Sequence, residues 1–310
     1  MVNLKTREIS MISFIIPFSI IEKDKFLNLN EKKSLWSENN TGNIVYSTIQ
    51  TINNINKLKC DKEIILVDNS HTWPDMELEN LMVVKGWQAL PKDKLLKTDE
   101  FMNHSEVELS LENIGCLTMW VSMAFHCGIQ YSKGDYIILQ HNDIFYQNDL
   151  INELLTRLER DCLGYISVEN KKVWMSTYLS RKRLFDKYID GVKFSPVDGG
   201  HVKTNFGLAD AYFFLTRRSF FDNYNVDWCY GDTNHGATIK CLEEETEYLH
   251  LGPYYDNPNF KTPNNRLHTY FYNEKPLLTH LKGGFSEHKM SSQDFEDELN
   301  SYFTGLNNAN

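Results

Sequence analysis

The stretch Gly134-Asp135-Tyr136-Ile137-Ile138-Leu139-Gln140-His141-Asn142-Asp143 decides how the rest of the chain is read. A glycine breaks the preceding pattern, a short apolar run follows, and the run passes without a spacer into polar residues. An apolar run of this length bounded by turn residues predicts a buried strand over 135–139. A carboxylate just past such a strand can hold Mg²⁺ or Mn²⁺ while the cation bridges diphosphate oxygens. The same carboxylate can equally cap backbone N–H groups in a turn. Asp143 alone does not choose between the two.

Working outward, Ser13-Phe14-Ile15-Ile16-Pro17 reads as a buried strand stopped by proline. Glu63 to Ser70 is a second strand ending in the polar turn Asp68-Asn69-Ser70, and Leu81 to Val84 is a third. Leu163 to Val168 and Ala211 to Leu215 predict two more. Between them, Ile44, Ile49, Ile52, Ile55 and Leu58 mark a helix with one apolar face. Helical patterns also span 113–131, with Gly115, Ala124 and Gly128 for close packing, and about 235–245. Asn148 is the expected N-cap of a helix reaching Arg160. Strands alternating with helices predict an α/β fold with a mainly parallel sheet and helices on both faces. Ligands of such sheets bind beyond the carboxyl ends of the strands. Asp68 and Asp143 end strands at that edge.

The 310 residues are 41% hydrophobic and 24% charged, enough to bury a sizeable core. The formal net charge of -10 repels a polyphosphate backbone, so nucleic acid is an unfavourable partner. An acidic protein that handles phosphorylated small molecules needs a cation to screen them. Six cysteines at 60, 116, 127, 162, 229 and 241 form no Cys-x-x-Cys pair. That disfavours a zinc site of usual spacing and fits reduced thiols in a cytoplasmic protein. The apolar run Met11–Ile21 contains Pro17 and lacks a small-residue cleavage site, so it reads as a strand rather than a signal peptide. No stretch reaches the roughly 20 apolar residues of a membrane span.

These motifs, taken in order with the Asn113-x-Gly115 helix entry, resemble the family 2-like glycosyltransferases of GT-A fold. The resemblance is strongest over residues 11–170. It implies a GT-A Rossmann-like mixed, mainly parallel sheet flanked by helices. Residues 1–10 would be a tail, 11–170 the donor-binding half and 171–310 the acceptor-binding and C-terminal half of the same domain. It further implies a nucleotide-diphosphate-sugar donor (a UDP-sugar is favoured) and a glycan, lipid-linked or other hydroxyl acceptor. Transfer would invert the anomeric carbon with Mn²⁺ or Mg²⁺ assisting.

Carried onto this sequence, the resemblance puts Pro17 and Phe18 beside the donor nucleotide, with Asn113 nearby, and Asp68 and Asn69 against base or ribose. His141-Asn142-Asp143 would take the Asp-x-Asp place, with His141 standing where the pattern has its first acid. Asp143 and His141 would hold the metal, helped by the late His280, and Asn142 would lie beside the donor. Ala209 to Phe221 resembles the acceptor-side strand and the Arg-Arg-x-x-Phe stretch after it, which makes Arg217 and Arg218 candidate diphosphate contacts. Asp232, in Gly231-Asp232-Thr233-Asn234, matches the general base, although Gly231 and Asn234 depart from the acidic pattern. The role suits the chemistry: an acceptor hydroxyl is a poor nucleophile, so a positioned carboxylate must take its proton. A helix N-terminus keeps such a carboxylate ionised.

Two other readings compete. A sugar-phosphate nucleotidyltransferase would carry a Gly-rich basic loop after the first strand, where Phe18-Ser19-Ile20-Ile21-Glu22 has no glycine. A degenerate, non-catalytic nucleotide-sugar-binding module would explain His141 and Gly231 at normally acidic positions.

Overall fold

The fold is that of a computed structural model describing residues 11–18, 38–68, 81–85, 117–174, 201–222, 235–252 and 267–281, with Asp297 and Ser301. Strand β1 (Ile12–Phe18) is an interior strand of the main sheet, as a segment with mostly apolar side chains on both faces must be. Phe14, Ile16 and Phe18 pack with Ile44, Ile52 and Ile55 of helix α1 (Glu38–Asn56). Ile15 points the other way and packs with Ala124 and Phe125 of helix α2 (Leu117–Tyr131). Gly128 sits where α2 crosses the sheet. A Cβ there would collide with Ile15 Cγ2 and press on Val67 Cγ2, so the helix can come this close only with glycine.

Strands β2 (Lys62–Asp68), β3 (Leu81–Lys85) and β4 (Tyr136–Gln140) run parallel to β1, in register Phe14↔Ile64 and Phe14↔Ile138. The sheet continues through β7 (His201–Arg217), β6 (Tyr165–Trp174) and β8 (Leu249–Leu251) in the order β3-β2-β1-β4-β7-β6-β8. Only β7 is antiparallel to its neighbours. The chain thus adopts the expected α/β architecture, a mixed, mainly parallel sheet flanked by helices. Helix α3 (Ile151–Arg160) buries Ile151, Leu154, Leu155 and Leu158, the spacing of a single apolar stripe. Two further helices are α4 (Arg218–Asp222) and α5 (His235–Glu243).

A second sheet, not anticipated from the sequence, pairs β5 (Ile144–Tyr146) with β10 (Lys275–Leu281), and β10 with β9 (Leu267–Tyr272). Asn273 and Glu274 both adopt positive φ between β9 and β10 (48° and 64°), as a tight two-residue hairpin turn requires. Asn148 does not cap α3 as expected. The N-cap is Leu150, and the Asn148 amide instead donates to the Pro276 carbonyl at 2.7 Å, tying α3's entry to β10. The expected strand over 211–215 is the end of a longer one beginning at His201. Cys60, Cys127, Cys162 and Cys241 are free thiols. Among the described residues no helix is long and apolar enough to cross a membrane.

Candidate metal centre

The turn His141-Asn142-Asp143 joins the two sheets, running from β4 into β5. It is held from three sides. Helix α1 reaches it with a polar stripe: Ser47 Oγ and Thr51 Oγ1 both donate to the Asn142 carbonyl, at 2.8 and 2.9 Å. The Asn142 side chain donates to Thr48 Oγ1 at 2.8 Å. One turn further along α1, the Asn54 side chain grips the Tyr146 backbone at N (2.6 Å) and O (3.1 Å). From β7, the Tyr212 carbonyl accepts the His141 N–H (3.3 Å), and from β10 the Leu281 N–H donates to the Asp143 carbonyl (3.1 Å).

These restraints leave the side chains of the turn aimed together. His280, opposite Ile144 in the second sheet, brings Nε2 within 3.5 Å of Asp143 Oδ2. His141 Nδ1 lies 4.0 Å from Asp143 Oδ1. One ligand-type atom from each of the three residues falls within 4.8 Å of the others. His280 and Asp143 are buried. His141 Nε2, Asp143 Oδ1 and His280 Nδ1 are each buried without a hydrogen-bond partner among the described residues. Buried polar atoms are rarely left so, and a cluster of them signals a function or an absent ligand. Burial, and secondarily His280, push the His141 pKa down to about 4 against the opposing pull of Asp143. The ring is neutral at pH 7 with a lone pair to give. Tyr212 covers the pair, its ring 3.8 Å from that of His280 and 5.0 Å from that of His141.

The other sequence-predicted residues divide. Asp68 ends β2 opposite Phe18, at the same carboxyl edge of the sheet, and is buried. Pro17 lies beside Val67 at that edge and is partly accessible. Phe18 ends β1 beside Asp68, with its side chain in the apolar core under α1. Asn142 positions the turn: its amide and carbonyl are engaged by α1. Arg217 and Arg218 are not brought to the cluster. Arg217 pairs with Tyr136 at the start of β4 while Gln140 pairs with Phe213, so Arg217 sits about 13 Å back along the strand, at the other edge of the sheet. Its guanidinium holds Glu159 Oε1 and the Leu158 and Leu163 carbonyls, all at 2.7 Å. Arg218 holds the Gly134 carbonyl and Ser132 Oγ. Both arginines lock the sheet to its loops rather than meeting a diphosphate at Asp143. Asn69, Asn113 and Asp232 lie outside the described residues.

Two contributors escaped sequence reading. The Ser47, Thr48, Thr51 and Asn54 stripe was visible as polar residues at helical spacing beside the isoleucine stripe. Tyr212 reads in the sequence as one more aromatic of an apolar strand, with nothing to mark it as the cover of two imidazoles.

No protein-family profile matches the sequence, and neither does any curated protein. Solved structures with a similar fold include the mannosyltransferase PcManGT from Pyrobaculum calidifontis, in complex with GDP-Man and Mn²⁺. It is 11% identical with a TM-score of 0.40, over 78% of this chain and 54% of that one. Mouse xyloside xylosyltransferase 1 is 12% identical with a TM-score of 0.41, over 77% and 85%. The bifunctional IspDF from Campylobacter jejuni is 8% identical with a TM-score of 0.37, over 77% and 49%. The chain spans about half the length of the first and third of these. At these values the likeness carries no argument about activity, and the chemistry has to be read from the site.

Proposed function

We propose that the chain is an inverting glycosyltransferase that moves a sugar from a nucleotide-diphosphate donor to an acceptor hydroxyl with a divalent cation. The observation that carries this reading is the cluster of His141, Asp143 and His280 beyond the carboxyl end of β4, with Asp143 and His280 buried and an orphaned polar atom on each of the three residues. Two imidazole nitrogens and one carboxylate oxygen fit Mn²⁺ better than Mg²⁺, which favours oxygen and water ligands. Bound there, the cation supplies Lewis-acid stabilisation of the charge that develops on a departing diphosphate. His141 in place of an acid leaves the site one carboxylate and a neutral donor, which lowers its charge without removing a ligand. α1 fixes the turn, so the ligands are aimed before anything binds, which lowers the cost of assembling the site.

Asp68, at the end of β2 on the same edge, contacts the base or ribose of the nucleotide, a UDP-sugar being the favoured donor. Asp232 takes the proton of the attacking hydroxyl from the face of the sugar opposite the diphosphate. Incubation with a panel of UDP-, GDP- and dTDP-sugars, Mn²⁺ and saccharide acceptors tests the reading. Asp232→Asn should keep donor affinity and lose about 10²–10⁴-fold in turnover. Product with retained anomeric configuration would reject the single displacement. Donor binding without transfer to any acceptor would leave the non-catalytic sugar-binding module as the better account.

A further inference from the structure

Strand β7 leaves its ladder with β6 at the residues that approach the metal centre. The two strands pair at Ser167↔Phe214 and again at Glu169↔Ala209. Between those pairs β6 has one residue, Val168, and β7 has four, Asp210 to Phe213. The excess makes a bulge in β7, and bulges next to functional sites commonly re-aim a side chain.

A bulge strips backbone groups of their ladder partners, and buried ones must find others. Two side chains supply them here. Ser167, fully buried, accepts the Asp210 N–H at 3.1 Å and donates to the Phe213 carbonyl at 2.7 Å. The Val168 and Asp210 carbonyls lie farther from its hydroxyl, at 3.2 and 3.4 Å. One hydroxyl thus closes the bulge at both ends. Asp210 Oδ1 accepts the Tyr212 N–H at 3.3 Å. The Tyr212 carbonyl takes the His141 N–H, also at 3.3 Å. Both polar backbone groups of Tyr212 are therefore held, one from within the bulge and the other by the turn that carries Asp143.

The side chain so placed bridges two imidazoles. Its ring centroid lies 3.8 Å from that of His280, tilted by 31°, and 5.0 Å from that of His141, edge-on at 83°. The imidazoles themselves are 6.2 Å apart. Histidines that bind a metal are usually oriented by a hydrogen bond from the second ring nitrogen to a carboxylate, a carbonyl or water. Among the described residues, His141 Nε2 and His280 Nδ1 are buried with no hydrogen-bond partner. An imidazole has two broad orientations about its Cβ–Cγ bond, and they aim different nitrogens at Asp143. Contact with a flat aromatic ring restrains that choice where a hydrogen bond does not.

We propose that Tyr212 is a positioning residue of the metal site: held by the bulge that Ser167 and Asp210 close, its ring sets the orientation of the His141 and His280 imidazoles. The purpose of this arrangement rests on the metal reading of the cluster. The test uses the full chain, with Mn²⁺ alone as the probe and free Mn²⁺ measured by electron paramagnetic resonance. Loss of a residue that supports a metal ligand commonly costs about 10–100-fold in affinity, so Tyr212→Leu should weaken Mn²⁺ binding by that factor. Tyr212→Phe keeps the ring and should bind as the wild type does. Ser167→Ala, which removes the hydroxyl from the Asp210 N–H and the Phe213 carbonyl, should lose affinity as Tyr212→Leu does. A second readout needs no metal. In the metal-free chain with isotope-labelled histidine, the ring-proton signals of His280, identified by their loss in His280→Gln, should carry a ring-current shift from Tyr212. That shift should persist in Tyr212→Phe and vanish in Tyr212→Leu and Ser167→Ala. Tyr212→Leu alters a partly accessible side chain and keeps the backbone bonds of the bulge, so it decides the matter by itself if Ser167→Ala does not fold. Wild-type Mn²⁺ affinity or unchanged His280 signals in Tyr212→Leu, or in folded Ser167→Ala, would overturn the proposal. If the wild type binds no Mn²⁺ while the His280 shifts behave as expected, the metal reading fails and the hold of Tyr212 on the imidazole stands.

Discussion

Replacing Asp143 by alanine removes the one carboxylate from the cluster with His141 and His280. In the metal-free chain the cost is small, about 1 kcal/mol or less, because Asp143 Oδ1 has no hydrogen-bond partner among the described residues and a buried, poorly compensated charge stabilises little. The effect on metal binding is much larger. At a Mn²⁺ concentration a hundredfold above its dissociation constant, binding adds about 2.7 kcal/mol to wild-type stability. For a chain of 310 residues the unfolding entropy near the transition is about 0.65 kcal/mol/K, so the expected rise in Tm is about 4 °C. Mutating even a residue that only supports a metal ligand commonly costs 10–100-fold in affinity, and loss of a ligand should cost at least as much. At the same Mn²⁺ concentration a hundredfold loss leaves Asp143→Ala with about 0.4 kcal/mol, a shift under about 1 °C. Scanning fluorimetry with Mn²⁺ and with EDTA reads both numbers. A variant that keeps the full shift, or a wild type that shows none, refutes the reasoning.

Arg217→Ala should lower stability by about 1.5–3 kcal/mol, since its guanidinium serves Glu159 and two backbone carbonyls. Weakened nucleotide binding with an unchanged denaturation midpoint would contradict the placement found here. Gly134→Ala should cost about 1–3 kcal/mol through overpacking, because its Cβ would stand 2.6 Å from Ser13 N and 2.7 Å from the Met11 carbonyl; an unchanged urea midpoint would argue against so tight a turn. His250 has its pKa lowered in the fold to about 4 from 6.5, so it binds its proton more weakly there than in the unfolded chain. Its contribution is complete above about pH 6.5 and is lost as pH falls toward 4. The difference in urea stability between wild type and His250→Gln should therefore shrink over that window, and a difference that grows on acidification would overturn the sign.

The central sheet was legible because buried parallel strands leave a local mark. The apolar runs at 13–17, 63–68 and 135–139 are bounded by turn residues and separated by helical periodicity, and the structure forms all three. The second sheet left no such mark. β5 is three residues long, and the β9–β10 hairpin turns on Asn273-Glu274 rather than a glycine. That sheet carries His280 to Asp143, so the proximity was implied by resemblance while its physical cause was hidden. The arginines show the converse error. Their charge invited a phosphate role, but side-chain chemistry does not say to which edge of a sheet a residue maps; only the antiparallel register of β7 against β4 does. The buried hydroxyls of α1 leave no such mark, because apolar periodicity is silent on polar residues that serve a neighbouring turn.

Anomalous diffraction at the manganese edge, from crystals grown with Mn²⁺ and UDP, tests the central claim most directly. The account predicts a strong peak within ligand distance of the Asp143 carboxylate and the imidazoles of His141 and His280, with diphosphate oxygens completing the coordination and the nucleoside at the Asp68 end of β2. Manganese bound elsewhere, or UDP bound away from this edge of the sheet, would contradict it.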